Sequence, residues 1–162
     1  MSKIGRKPIN VTGIQTDIKG REIHYKGPKS SGVYAMPQYF AVVVKDGLLS
    51  VTPRKEEMKH LKQREINQEW GMHRALLANQ LMGAKKEFEK IVEIVGLGYK
   101  AVKTGDKLVF SLGYSHTIDF VIPKGITVSI DKTGQKLTVS SSDKILLGEV
   151  CSKMCISNAR MV

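Results

Sequence analysis

The sequence predicts an α+β protein of two duplicated small domains, each an antiparallel sheet with one helix packed on it. Three observations carry that expectation. Short stretches alternate apolar and polar residues, the period that turns one face of a strand inward. Turn residues separate most of these stretches at hairpin distance. Two longer segments carry helical spacing instead, and each follows a run of strands.

In the first half, strands are expected over Ile14 to Ile18, Glu22 to Lys26, Phe40 to Val44 and Leu48 to Thr52, with turns at Lys19-Gly20 and Asp46-Gly47. A helix from Asn67 or Gln68 to Met82 gathers Met72, Ala75, Leu76 and Met82 on one side, and Gly83 is placed to end it. In the second half, strands are expected over Ile91 to Val95, Tyr99 to Lys103, Lys107 to Leu112, Thr117 to Ile122, Thr127 to Ile130 and Lys136 to Ser140. Thr104-Gly105-Asp106 and Thr133-Gly134 supply turns. Ser142 is the expected N-cap of a second helix, whose Leu147, Val150, Cys151 and Met154 fall at i, i+3, i+4 and i+7. Gly13-Ile14-x-x-x-Ile18 followed by Gly20-x-x-Ile23-x-Tyr25 is echoed by Gly125-Ile126-x-x-x-Ile130 and Gly134-x-x-Leu137-x-Val139, which points to internal duplication. The expected domains are 1–83 and 84–162, joined by a charged connection containing Lys85, Lys86, Glu87, Glu89 and Lys90.

The net charge is +11, from 26 Lys and Arg against 15 Asp and Glu. Such an excess in a small chain points to a polyanion, nucleic acid first. Residues 1–83 hold 14 basic and 7 acidic residues, and residues 84–162 hold 12 and 8, so both halves are basic. Trp70 is the only tryptophan, which argues against a binder that stacks successive bases on exposed rings. Cys151 and Cys155 are too close along one helix to staple a fold, so reduced thiols and an intracellular protein are expected. No apolar core follows the N-terminal charges and no stretch approaches a bilayer span, so neither secretion nor a membrane partner is expected.

Four constellations bear on chemistry. Gly96-Leu97-Gly98-Tyr99-Lys100-Ala101 has the glycine spacing of a dinucleotide turn, but that turn must open a helix and here another alternating strand follows. No cofactor is expected. Cys151 and Cys155 lack the further ligands of a zinc site and read as buried small side chains. Ser115 and His116 point to opposite faces if extended, which argues against a nucleophile and its base. Gly113-Tyr114-Ser115-His116 reads instead as a turn, either a plain hairpin tip or one that offers a ring, a hydroxyl and an imidazole to sugar or phosphate. The basic run Pro53 to Arg64, and Lys3, Arg6 and Lys7 at the N-terminus, are either solvated or phosphate-facing.

Six segments occur in an order that resembles the ribosomal protein L6 (uL6) family in its bacterial form. They are Ser2-Lys3-Ile4-Gly5-Arg6-Lys7-Pro8-Ile9, Lys26-Gly27-Pro28-Lys29, Arg74-Ala75-Leu76-Leu77-Ala78-Asn79, Gly96 to Ala101, Leu112-Gly113-Tyr114-Ser115-His116 and Pro123-Lys124-Gly125-Ile126. The resemblance implies a non-catalytic protein of two duplicated domains. It implies binding of large-subunit ribosomal RNA near the sarcin-ricin loop, at the stalk base, beside neighbouring large-subunit proteins. Family contacts are associated mainly with the second domain and a basic tail. Carried over, they fall on Gly96, Gly98, Tyr99, Lys100, Gly113, Tyr114, Ser115, His116 and Lys124, with Lys153, Arg160, Lys3, Arg6 and Lys7 as further rRNA-binding candidates. The sequence here ends at Val162 without the family's Pro-Glu-Pro-Tyr-Lys-Gly-Lys-Gly type of tail, so the RNA is expected to be held by the remaining surface, by a partner protein, or less tightly. The implied setting is the ribosome of a bacterial cytoplasm, or of a mitochondrial matrix for an organelle-encoded member.

Overall fold

The computed structural model describes residues 2–54 and 62–157 and divides the chain into two compact units, Met1–Lys86 and Glu87–Val162. The first unit runs β1 (Ile9–Asn10), β2 (Gln15–Lys19), β3 (Glu22–Lys26), β4 (Ser31–Ala35), β5 (Phe40–Lys45), β6 (Leu48–Pro53) and α1 (Gln63–Lys85). The second runs β7 (Phe88–Glu93), β8 (Lys100–Thr104), β9 (Lys107–Ser111), β10 (Ile118–Val121), β11 (Ile126–Ile130), β12 (Lys136–Ser141) and α2 (Lys144–Ser157). All pairings are antiparallel, so the α+β class holds, with two three-stranded sheets in each half where one was expected.

The duplication is complete at the level of topology. Sheets β1-β6-β5 and β2-β3-β4 in the first half answer to β7-β12-β11 and β8-β9-β10 in the second. The motif echo in the sequence therefore matched the wrong hairpins, because it laid β2-β3 over β11-β12. The topological match sets Gly13-Ile14, Gly20, Ile23 and Tyr25 against Gly98-Tyr99, Gly105, Leu108 and Phe110, at the same spacing and with no insertion. Leu49 and Val51 of β6 answer likewise to Leu137 and Val139 of β12, and all four are buried.

Each half has its own core. Ile23, Leu49, Val51, Trp70, Leu77 and Leu81 belong to the first; Leu108, Phe110, Leu137, Val139, Leu147, Val150 and Met154 belong to the second. Cys151 is buried in the second core as a free thiol, its pKa pushed up by burial, and Cys155 beside it is half-buried. Among the described residues no helix is long and apolar enough to cross a membrane.

Local signals were overridden at several boundaries. Helix α1 begins four or five residues early, at Gln63, where the Glu65 carboxylate accepts the Lys62 N–H at 3.0 Å. It also runs through Gly83 to Lys85. Gly27 packs so closely on Ala84 that a Cβ there would stand 2.3 Å from the Ala84 carbonyl oxygen, and the Lys29 N–H donates to that oxygen at 3.0 Å. A tertiary partner thus satisfies the last turn beyond the glycine. Strand β7 starts at Phe88, taking in charged residues read as a connection, because Phe88 to Glu93 pair in register with Ser141 to Lys136. The N-cap of α2 is Asp143, whose Oδ1 accepts the Ile145 N–H at 2.8 Å, and not Ser142. Strands β1 and β4 had no alternating signal long enough to read.

Candidate nucleic-acid interface

In the second half, the chain between β7 and β8 leaves and returns at one place. The Ile94 N–H donates to the Gln135 carbonyl and the Ala101 N–H to the Gly134 carbonyl, both at 2.8 Å, so both ends of the 95–100 excursion are pinned to the β11–β12 turn. Leu97 at its tip is fully exposed and Tyr99 folds back under it. A strand, β8, follows the turn, so the turn does not open a helix as a dinucleotide-binding turn does.

Tyr99 joins this turn to the next one. A Cβ on Gly96 would lie 2.0 Å from the Tyr99 ring, and a Cβ on Gly113 would lie 2.8 Å from its Cε1. Both glycines therefore serve as seats for one ring. The pairing of Lys100 with Ser111 across β8 and β9 puts the two turns at the same end of the β8-β9-β10 sheet. Gly113 also has φ +77°, a left-handed conformation that glycine adopts at little cost. The turn it opens leaves Tyr114, Ser115 and His116 exposed, with the Tyr114 and His116 rings stacked at a centroid distance of 6.2 Å. The ring neighbour of His116 is thus an aromatic face and not an orienting carboxylate.

Lys100 stands at the foot of the first turn and also borders a groove of about 470 Å3 between β8, β11 and the 131–134 turn. Lys103 and Lys132 line the same groove, and Lys103 Nζ donates to the Val128 carbonyl at 3.2 Å. Neither lysine was singled out from the sequence. Residues three apart on a strand point to opposite faces, so only the packing of β11 on β8 shows that Lys100 and Lys103 border one surface.

The remaining candidates lie elsewhere. Lys124 is at the opposite end of the β8-β9-β10 sheet, about 14 Å of strand away, because the neighbouring Ile122 N–H donates to Asp106 in the β8–β9 turn. It sits beside Gly125, whose carbonyl accepts the Ser141 hydroxyl just before α2. Lys153 on α2 is paired with Glu149 at 2.6 Å. Lys3, Arg6 and Lys7 belong to the first half, exposed on a segment docked against α1. Gly5 of that segment lies on the Trp70 ring, where a Cβ would stand 2.4 Å away, and Arg74 donates to the Lys7 and Pro8 carbonyls at 3.0 Å each. Arg160 and most of the basic run from Pro53 to Arg64, residues 55–61, lie outside the described residues.

The family model "Ribosomal protein L6" matches residues 95–155, which span both turns and most of α2. The large ribosomal subunit protein uL6 of Ruegeria pomeroyi is 36% identical over 155 residues, covering 95% of this chain and 84% of that protein. The uL6 proteins of Roseobacter denitrificans and Bartonella henselae, at 35% and 36%, match over the same shares. Identity at that level over nearly the full length, joined to two halves of one topology, establishes that the chain belongs to the ribosomal protein L6 (uL6) family.

Proposed function

We propose that the chain is a structural constituent of the large ribosomal subunit, which it enters by holding large-subunit rRNA on the joined turns 96–100 and 113–116 of its second half. The observation that carries this reading is the Tyr99 ring seated on both Gly96 and Gly113. It makes two turns one exposed surface bearing Lys100, a stacked Tyr114 and His116 pair, and close-lying backbone. RNA that is recognised by shape and sugar-phosphate contacts needs such a preformed surface. The relatives are named as large-subunit ribosomal proteins and come from bacteria, which supports a bacterial ribosome as the setting. Within it, the family resemblance favours a place near the sarcin-ricin loop and the stalk base, against neighbouring large-subunit proteins. No turnover is involved: cations neutralise phosphate and rigid turns set the register.

Filter binding of the full chain to an RNA fragment containing the sarcin-ricin stem tests the reading. Affinity is expected to fall steeply with salt, and Tyr114→Ala with His116→Ala to weaken it about tenfold or more, as loss of base or sugar stacking of ~1–3 kcal/mol implies. Salt-insensitive binding, or unchanged affinity in the double variant, overturns it.

A further inference from the structure

Leu97 differs in exposure from every other large apolar side chain described. It is fully exposed, whereas among the described residues the next is Ile145 at 65%. The backbone holds it there. Leu97 and Gly98 are the central residues of a turn in which the Tyr99 N–H donates to the Gly96 carbonyl at 3.5 Å, and Gly98 has φ +75°, the left-handed geometry that such a turn needs at its third residue. Both ends of the excursion are pinned to the β11–β12 turn, and the Tyr99 ring fills the space that a Cβ on Gly96 would enter. A leucine held out in this way contributes no buried surface to the fold.

The first half closes the same frame without it. Ile9 pairs with Leu49 and Val92 with Leu137, so Ile9 answers to Val92, while Gly13 answers to Gly98. Ile9 to Gly13 is four steps along the chain and Val92 to Gly98 is six, so the second half carries two extra residues at this connection. The short connection places polar Thr12 before its glycine and ties it down: the Thr12 N–H donates to Asn10 Oδ1 at 2.9 Å, and its hydroxyl donates to the same oxygen. The long connection places Leu97 before its glycine. Two added residues and an exchange of threonine for leucine thus lift an apolar side chain off a frame that does not need it.

The surroundings of Leu97 are cationic and aromatic. Exposed Lys100 follows three residues later, and the Tyr99 ring joins this turn to the one that carries the stacked Tyr114 and His116. Residues 94–101 and 112–118 include no Asp or Glu, and Glu93 at the foot of the excursion is paired with Lys136 at 3.0 Å. An apolar contact set beside a cation and two rings suits a polyanion that also has apolar faces, which is RNA with an unstacked base. We infer that Leu97 is a base contact: its side chain packs against the face of a nucleobase that a loop or bulge of the RNA leaves open. Apolar side chains inserted at opened base steps act in the same way on duplexes. The inference rests on the proposed function for its ligand, and adds to that surface a contact that is neither charged nor hydrogen-bonded.

The test is binding of the full chain to an RNA fragment containing the sarcin-ricin stem and its loop, repeated across a salt series. Leu97→Ser is expected to lower affinity about tenfold at every salt concentration. The slope of log affinity against log salt should stay the same, because the lost contact releases no counterion. Leu97→Met keeps the apolar volume and should stay within about threefold of the parent chain. Lys100→Gln supplies the contrast, a slope shallower by about one. On a continuous RNA duplex, where no base face is open, Leu97→Ser should cost less than about twofold; equal losses on the two RNAs overturn the base contact. So does unchanged affinity of Leu97→Ser for the looped fragment, or a slope change as large as that of Lys100→Gln. A Leu97→Ser chain that binds the fragment normally yet no longer co-sediments with large subunits would assign the leucine to a protein neighbour, which also overturns it. Tyr114→Ala with His116→Ala separates the two readings: weakening there with none from Leu97→Ser leaves the proposed function without the base contact, whereas a parent chain that fails to bind the fragment brings down both.

Discussion

The room that a missing Cβ leaves is filled at Gly96 and at Gly113 by the same Tyr99 ring, so two separate turns of the chain set one surface. A side chain at Gly113 meets two penalties. The left-handed backbone costs about 1–2 kcal/mol for a residue with a Cβ, and the ring must move away from a contact of 2.8 Å. Gly113→Ala is therefore expected to destabilise the second half by about 2 kcal/mol in urea unfolding, and to weaken RNA binding because the ring shifts. The two penalties separate in a double-mutant cycle: in a Tyr99→Leu background Gly113→Ala should lose only the backbone part. Equal costs in both backgrounds would mean that the ring contact plays no part. The glycine spacing here was visible in the sequence, but its meaning was not. A ring returning from three residues away and reaching a second turn is a tertiary fact, invisible to a motif.

Strands and helices show which signals are local and which are not. Deep alternation located β3, β5, β6, β9 and β12 within a residue or two of their observed bounds. Helix ends were less legible because their last donors and acceptors look for any partner. Gly83 would end a free helix, yet the Lys29 N–H supplies what the Ala84 carbonyl needs and α1 continues. At α2, two adjacent residues both suit the N-cap, and only the geometry selects Asp143. Asp143→Ala should accordingly cost about 1 kcal/mol, whereas Ser142→Ala should stay within about 0.5 kcal/mol, both read from chemical denaturation. The reverse order would restore Ser142 as the cap.

At the scale of the molecule, the two hydrophobic clusters share no residue. Leu81 is fully buried in the first, so Leu81→Ala should cost that half about 2–5 kcal/mol. Amide hydrogen exchange should then show lost protection in β5, β6 and α1, while the amides around Phe110 keep theirs; uniform loss would mean one cooperative core. The sequence by itself determined the class of fold, the order of its strongest strands, the basic charge of both halves and the family. It did so because alternation, turn residues and charge are local properties that hydration reads directly. Which strands pair was decided only in three dimensions: period-two patterning says which face a residue takes and not which strand lies beside it. The sequence echo consequently matched β2-β3 to the wrong hairpin, and the true match with β8-β9 emerged from sheet order. Tertiary structure likewise decided that the 96–100 and 113–116 turns meet and that Lys124 stands apart from them, because each depends on hydrogen bonds and packing between segments distant in the chain.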